Sequence, residues 1–575
     1  MSDMQAMMQD GPRNDRGAIA GKHDRDAKPC RPASGPGLAV RILATVSITA
    51  VLLLLLEFTL RAFGVGFVTE LLQPCTQDGR PASCYNLFFV APFFPPGMIK
   101  TPQVYAIPRD KSPGTYRIFV LGESAAMGDP DPAYSFSRYL DVMLRKAFPA
   151  RHFEVVNTGS VAINSHVLLP IAKGLAGQRA DVFILYSGNN EVVGPYGAGT
   201  ALTGSSMRLP LIRASILLHS TRVGQLLTKI GTPKREWGGM EMFLEKQVPA
   251  NSPLLQSTYK NFDANLRDTI TVARQAGARV IVATIATNLK DCAPFGSMHR
   301  EGLSEKELQS WSRLVQQGVA LEEGGATAEA LKAFLAAGQI DDQYAELAFR
   351  IARSRWALGD YVGARRDFYR ARDLDTLRFR ADTQINEINR SAARAGAEVV
   401  DADSLFSQAS ANGVVGSELV YEHVHLTPLG NYLLAQAMFL QIASQLSSGD
   451  SSAPSLAAVP TQAECEERLA LTHHDRTRIT REMFDRVQKP PFTNQLNHTE
   501  QVLRLALRAE IPDENPQQTA AEYQRAIALK PDDRLLHYNF GLFLFNYNRN
   551  AALRELQLSR PWDGFPVFAP DGTLM

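Results

Sequence analysis

The stretch YRIFVLGESAAMG, residues 116–128, decides how the rest of the chain is read. The apolar run from Tyr116 to Leu121 fits a strand buried on both faces, Gly122 marks its end, and Ser124 stands where the chain turns into the next element. AYSFSRYLDVMLRKAF (133–148) then has helical spacing, FEVVNTG (153–159) is a second strand and DVFILYSG (181–188) a third. NFDANLRDTITVARQAGARVIVATIA (261–286) predicts a helix closed by Gly277 and followed by a fourth strand, and RSAARAGAEVVDAD (390–403) repeats that arrangement. Val/Ile-rich strands separated by helices predict an α/β fold, with a parallel sheet covered by helices on both faces. In such sheets the reactive groups gather just past the carboxyl ends of the strands.

The predicted strand ends carry a set of polar residues. Ser124 follows the first strand, NTGS (157–160) puts Gly159 after the second, and SGNNE (187–191) puts Asn190 after the third. Near the end of the sheet region, YEHVHLTPLG (421–430) sets Glu422 three residues before His425. Taken singly, a serine or asparagine at a strand end is most often a turn or cap residue, and a glycine a backbone requirement. Taken together, a hydroxyl, backbone and amide donors, and an imidazole paired with a carboxylate are the parts that acyl transfer needs.

In this order the residues resemble the SGNH hydrolases, also called the GDSL esterase/lipase superfamily, whose four blocks carry Ser, Gly, Asn and His. The G-D-S block appears as Gly122-Glu123-Ser124, the second-block glycine as Gly159, G-x-N-D as Gly188-Asn189-Asn190-Glu191, and D-x-x-H as Glu422-His423-Val424-His425. Glutamate replaces the family's aspartate in all three blocks that carry one, which keeps the charge and lengthens the arm. The resemblance runs from Tyr116 to about Leu446 and implies a flavodoxin-like sheet and hydrolysis of esters, or removal of acetyl groups from carbohydrate. It also implies a catalytic Ser124, His425 and Glu422, and an oxyanion hole made by the backbone N–H groups of Ser124 and Gly159 with the side-chain amide of Asn190. No metal or organic cofactor is needed. His423 is expected to be an exposed bystander, and Asp401 and Asp403 to be helix or turn caps rather than alternative acids.

Outside this region, Arg41 and Arg61 bracket 19 residues whose only charge is Glu57, close to the roughly 20 that a helix needs to cross a bilayer. No A-x-A cleavage pattern follows, so an uncleaved anchor is expected. Lys28, Arg31 and Arg41 precede it, which predicts a cytoplasmic N-terminus and a chain lying largely outside the inner membrane of a bacterium. Cys75 and Cys84 then fall in an oxidising compartment and flank the turn-rich TQDGRPAS, a short loop that a disulfide can close. Cys292 and Cys465 lie on the same side and could pair, though they are distant in sequence and two inert buried thiols are the default reading; Cys30, on the cytoplasmic side, is expected to stay reduced.

The composition agrees with a modular globular chain: 575 residues, 45% hydrophobic and 21% charged. Sixty basic against 59 acidic residues leave a net charge of +1, which provides no global field for nucleic acid, and five cysteines without CxxC or zinc spacing argue against a structural zinc site. A 34-residue repeat lies within the third-to-fourth-block insertion: Gly325, Ala330, Phe334, Ala337 and Asp341 recur as Gly359, Ala364, Phe368, Ala371 and Asp375. This resembles the tetratricopeptide repeat, and Tyr523, Ala526, Pro531 and Gly541 form a more degenerate copy.

The expected organisation is a cytoplasmic disordered tail (1–40), a transmembrane anchor (41–63), a connector (64–115) and a hydrolase domain (116–446) with a tetratricopeptide-like insertion (305–376). A linker (447–462) and a C-terminal helical, repeat-like region (463–575) follow. Residues 194–248 have packing as their default reading, beside a lid or a membrane-facing helix. Three functions fit: an extracytoplasmic esterase or deacetylase acting on an acylated small molecule or carbohydrate, an O-acyltransferase on envelope polysaccharide, and an inactive scaffold whose repeats bind a protein partner.

Overall fold

The computed structural model describes residues 37–98, 103–203, 208–231, 236–446, 459–509 and 515–566. Cys30, nearly all of the expected cytoplasmic tail and most of the expected linker lie outside these residues. A helix spans Leu38–Ala62 with none of its residues buried. The chain up to Thr59 forms one compact unit and the chain from Leu60 onward another.

The second unit begins with a small antiparallel sheet of β1 (Leu72–Gln77), β2 (Arg80–Tyr85) and β3 (Ala106–Pro108). Asp78 and Gly79 both take positive φ at the β1–β2 turn, a backbone that an Asp-Gly pair adopts at low cost. The expected disulfide between Cys75 and Cys84 joins the two strands, with Cα atoms 5.9 Å apart.

The main sheet is built from the predicted strands: β4 (Thr115–Gly122), β5 (His152–Asn157), β6 (Val182–Tyr186), β7 (Arg279–Ala283) and β8 (Glu398–Val400). All pairings are parallel and the order is β5-β4-β6-β7-β8, the doubly wound, flavodoxin-like order with its switch point at β4. Ile118 to Leu121 and Val182 to Leu185 are buried, so both faces of these strands are covered, as their unbroken apolar runs require. Helix Phe136–Ala147 packs against Pro428–Leu446, and Ser165–Leu175 against Pro253–Gln275.

The insertion forms four helices, Glu305–Glu323, Thr327–Ile340, Ala345–Ala357 and Tyr361–Leu374, packed in sequence. Ala330, Phe334 and Ala337 are buried in one hairpin and Ala364, Phe368 and Ala371 in the next, which is why these positions recur. The closing aspartates tie the hairpins to the segment ahead of them. Asp341 Oδ2 lies 2.7 Å from His299 Nδ1, and Asp375 accepts the N–H groups of Phe295 and Gly296 at 3.0 Å each.

Helices from Gln462 onward dock on the segment after Ser124. Tyr134 donates to the Ala470 carbonyl at 3.1 Å, Arg138 pairs with Asp533 at 2.5 Å, and Arg478 pairs with Asp131. Asp401 caps the helix Ala402–Ala409 by accepting from Ser404 N, and Asp403 pairs with Arg390 at 3.2 Å.

Candidate active site

Ser124 opens the short helix Ser124–Met127 directly after β4, at the switch point of the sheet. Its Oγ lies 2.9 Å from His425 Nε2. On the other side of the ring, His425 Nδ1 meets Glu422 Oε1 in a short hydrogen bond. Glu422 Oε2 accepts from the backbone N–H groups of His423, Val424 and His425 at 2.6, 3.0 and 3.1 Å, so the loop holds one oxygen while the other faces the imidazole. Burial opposes the Glu422 charge, yet His425, His423 and their hydrogen bonds outweigh it and keep the carboxyl well below the usual range.

A second carboxylate approaches the same imidazole. Asp129 Oδ2 is 3.0 Å from His425 Nε2, and Asp129 is gripped at both oxygens by Arg486, with Nη1–Oδ2 at 2.5 Å and Nη2–Oδ1 at 3.0 Å. Arg486 comes from the helix His473–Val487. Its Nη1 also approaches His425 Nδ1 at 3.2 Å, but a proton on Nδ1 points to Glu422, so the arginine's acceptors here are carboxylates. Burial pulls His425 down, while Glu422 and Asp129 raise it by more, and its pKa is pushed up to about 9. Asp129 is itself held far below the usual carboxylate range: burial would raise it, but His425 and Arg486 prevail.

The other two motif glutamates, Glu123 and Glu191, serve as braces. Glu123 accepts from Gly188, Asn189 and Asn190 N–H at 3.0, 2.8 and 3.1 Å, binding the Ser124 turn to the end of β6. Gly188 has φ +148°, and a Cβ there would lie 2.5 Å from Ile385 Cγ2. Glu191 accepts Ser165 N and Oγ at 2.8 Å each, and burial pushes its pKa up to about 7.

A cavity of about 440 Å³ opens on this cluster. Ser124, Asp129, Asn190, His425 and Arg486 give it polar groups, while Trp237, Met240, Phe243, Phe379 and Phe492 supply an apolar and aromatic wall.

Gly159 is placed close to Ser124's helix: a Cβ on it would lie 2.6 Å from Met127 N, so the glycine permits the approach. Its N–H, however, donates to Asn157 Oδ1 at 2.9 Å. Of the three expected oxyanion donors, the structure therefore brings Ser124 and Asn190 to the cavity and leaves the Gly159 N–H engaged elsewhere.

The expectation that His423 is exposed needs correction. His423 is buried, edge-on to the rings of Phe295, Phe379 and Phe492, because the segment around Phe295 and the C-terminal region close over the loop. Burial lowers its pKa, against the pull of Glu422. Glu422, His423 and His425 could present three metal-ligand atoms within 4.8 Å of one another, but His425 already has both ring nitrogens in hydrogen bonds to the cluster.

Sequence reasoning missed Asp129, Arg486 and the aromatic wall. Asp129 had a faint signal, an acid five residues after the serine, whereas nothing near Arg486 marks it.

No protein-family model matches the sequence, nor does any curated protein. Solved structures that superpose on part of the chain include two acetyl xylan esterases and a GDSL-like lipase. The acetyl xylan esterase AlAXEase superposes with a TM-score of 0.28 at 10% identity, covering 57% of this chain and 99% of its own. A catalytic mutant of the acetylxylan esterase Axe2 from Geobacillus stearothermophilus gives 0.27 at 12%, covering 58% and 96%. A GDSL-like lipase from Bacteroides thetaiotaomicron gives 0.24 at 8%, covering 58% and 88%. The sheet order and the side-chain distances, rather than these superpositions, define the fold and the site.

Proposed function

We propose that the protein is a membrane-anchored serine esterase or deacetylase of the SGNH type, acting outside the cytoplasm through an acyl-enzyme on an acylated carbohydrate or envelope ester. The observation that carries this reading is the unbroken hydrogen-bonded chain Glu422–His425–Ser124, ending at an open cavity.

The Ser124 Oγ–C bond forms as neutral His425 takes the hydroxyl proton on Nε2, and Glu422 stabilises the resulting imidazolium through Nδ1–H. The same Nε2 proton passes to the departing alkoxide as the ester C–O bond breaks. Water then attacks the acyl-enzyme, giving a proton to His425 Nε2, and that proton returns to Ser124 Oγ as the acyl C–Oγ bond breaks and the acid leaves. The backbone N–H of Ser124 and the Asn190 amide face the developing oxyanion, and the loss of one such donor costs about 3 to 4 kcal/mol of barrier in comparable sites. Gly159 joins them only by releasing Asn157 Oδ1.

An aromatic wall beside a few polar groups suits a sugar ring carrying a short acyl chain. The helix Leu38–Ala62, which contains an 18-residue stretch of mean hydropathy 2.4, supports the anchor, and the Cys75–Cys84 disulfide agrees with an oxidising compartment. The test is mass analysis of the full-length protein mixed with an acetylated sugar, with and without a free sugar acceptor. Acetyl on Ser124 followed by free acetate supports the esterase, acetyl passed to the acceptor identifies a transferase, and no acetyl-enzyme in either mixture overturns both.

A further inference from the structure

The segment between Asn190 and the cavity wall contains two helices, Leu209–Ser220 and Arg222–Gly231, whose outward surface is unusually apolar for a face turned to water. Ile212 fills the inward side of the first helix, yet Leu211, Leu217 and Leu218 on the same helix are 58%, 69% and 49% exposed. On the second helix, which packs against the first, Leu227 and Ile230 are 59% and 77% exposed. Arg208, which caps the first helix, and Lys229 on the second are exposed cations.

These helices are fastened to the chain that has just left the proposed anchor. Phe67 N donates to Gln225 Oε1 at 2.9 Å, and Gln225 Nε2 donates back to the Phe67 carbonyl at 3.0 Å. Thr69 Oγ1 donates to the Ser220 carbonyl at 3.3 Å. Phe67 lies only five positions beyond Ala62, the last residue of the helix, so whatever the path, Gln225 is tethered within roughly 17 Å of the helix end plus one side-chain length. Along that tether Phe63 and Val65 are exposed, and Phe88, exposed in its turn, stacks on Phe67.

From this we propose that Leu209–Gly231, with Phe63, Val65 and Phe88, forms a collar that dips into the outer leaflet of the lipid bilayer around the base of the anchor. The inference rests on the anchor reading above. Leucines and phenylalanines leave water for the acyl-chain boundary, while Arg208 and Lys229 remain at the level of anionic headgroups. Trp237 and Phe243 of the cavity wall come six and twelve positions after Gly231, so chain connectivity keeps that wall within reach of the collar, which favours substrates anchored in, or lying against, the leaflet.

The test uses the full chain with Cys30→Ser, reconstituted in vesicles of phosphatidylethanolamine and phosphatidylglycerol. Spin labels are placed at Leu217→Cys, Leu227→Cys, Leu53→Cys in the anchor, and exposed Val362→Cys as the water reference. The collar predicts that the ratio of oxygen to nickel-chelate accessibility at 217 and 227 exceeds that at 362 several-fold, with 53 higher still. Water-like ratios at 217 and 227 with a lipid-like ratio at 53 overturn the collar and leave the anchor standing. A water-like ratio at 53 overturns the anchor, and the collar with it. Leu218→Cys and Ile230→Cys repeat the measurement should either first variant fold poorly.

Discussion

Asp129 Oδ2 stands 3.0 Å from His425 Nε2, the ring nitrogen that also meets Ser124 Oγ at 2.9 Å. A carboxylate at that place favours the imidazolium, which cannot accept the serine proton, so the resting site is poised on the acid side of its reaction. Arg486, anchored in the C-terminal helices, fixes the carboxylate there.

Activity should therefore rise with pH well beyond the ordinary imidazole range. The free-enzyme kcat/KM profile is expected to show its ascending limb near the folded value of about 9, against about 6.5 for an unperturbed histidine. Asp129→Asn removes one charge that raises this value and leaves Arg486 to lower it, so the limb moves down by about a unit or more and kcat/KM at neutral pH increases. A limb at the same pH in both proteins contradicts this role for Asp129.

The same shift links to stability with the opposite sense. A histidine whose pKa is raised on folding stabilises the native state fully below its unfolded value of about 6.5, and that contribution is lost as pH rises through about 9. Denaturant titrations of wild type and His425→Gln across this window should show the wild type losing its relative advantage toward alkaline pH, and an advantage that grows instead would contradict the sign.

Arg486→Ala leaves Asp129 without its guanidinium beside His425. Exposed pairs are worth up to about 1 kcal/mol and the breaking of buried ones costs about 3 to 5, so this mostly shielded pair should cost roughly 2 kcal/mol by denaturant unfolding. Activity at neutral pH should fall as the imidazolium is favoured further. Adding Asp129→Asn to Arg486→Ala should restore activity, and a double variant no better than the single would exclude the coupling.

His423→Ala tests the corrected position of that residue. Its ring is packed among Phe295, Phe379 and Phe492, so truncation should destabilise the fold by about 2 to 3 kcal/mol while lowering turnover far less than His425→Ala does. Equal loss of turnover in the two variants at matched folded fraction would make His423 part of the chemistry.

Much of this site was legible because its signals are local. Tyr116 to Gly122 reads as a buried strand from its own apolar run, and Glu422 and His425 are three residues apart on one loop. The strand ends then fixed where Ser124 and Asn190 would converge, since a parallel sheet gathers them at one edge. Arg486 and Asp129 meet across 357 residues, and no periodicity marks such a pair. The covering of His423 likewise depends on Phe295 and Phe492, which tertiary packing alone brings together. The helix His473–Val487, beyond the expected linker, brings Arg486 to Asp129 beside the imidazole, and no local pattern in 463–575 marks that placement.

The central claim is that Ser124 is a nucleophile activated by His425, and covalent trapping with a serine-directed phosphonate measures it most directly. Wild type should be labelled on Ser124, faster as pH rises toward 9, and Ser124→Ala should be folded yet unlabelled. His425→Ala should also fail to label, and Glu422→Gln should label slowly, with turnover lowered by up to about ten-thousandfold as in analogous triads. Labelling of Ser124→Ala at the wild-type rate would contradict the account.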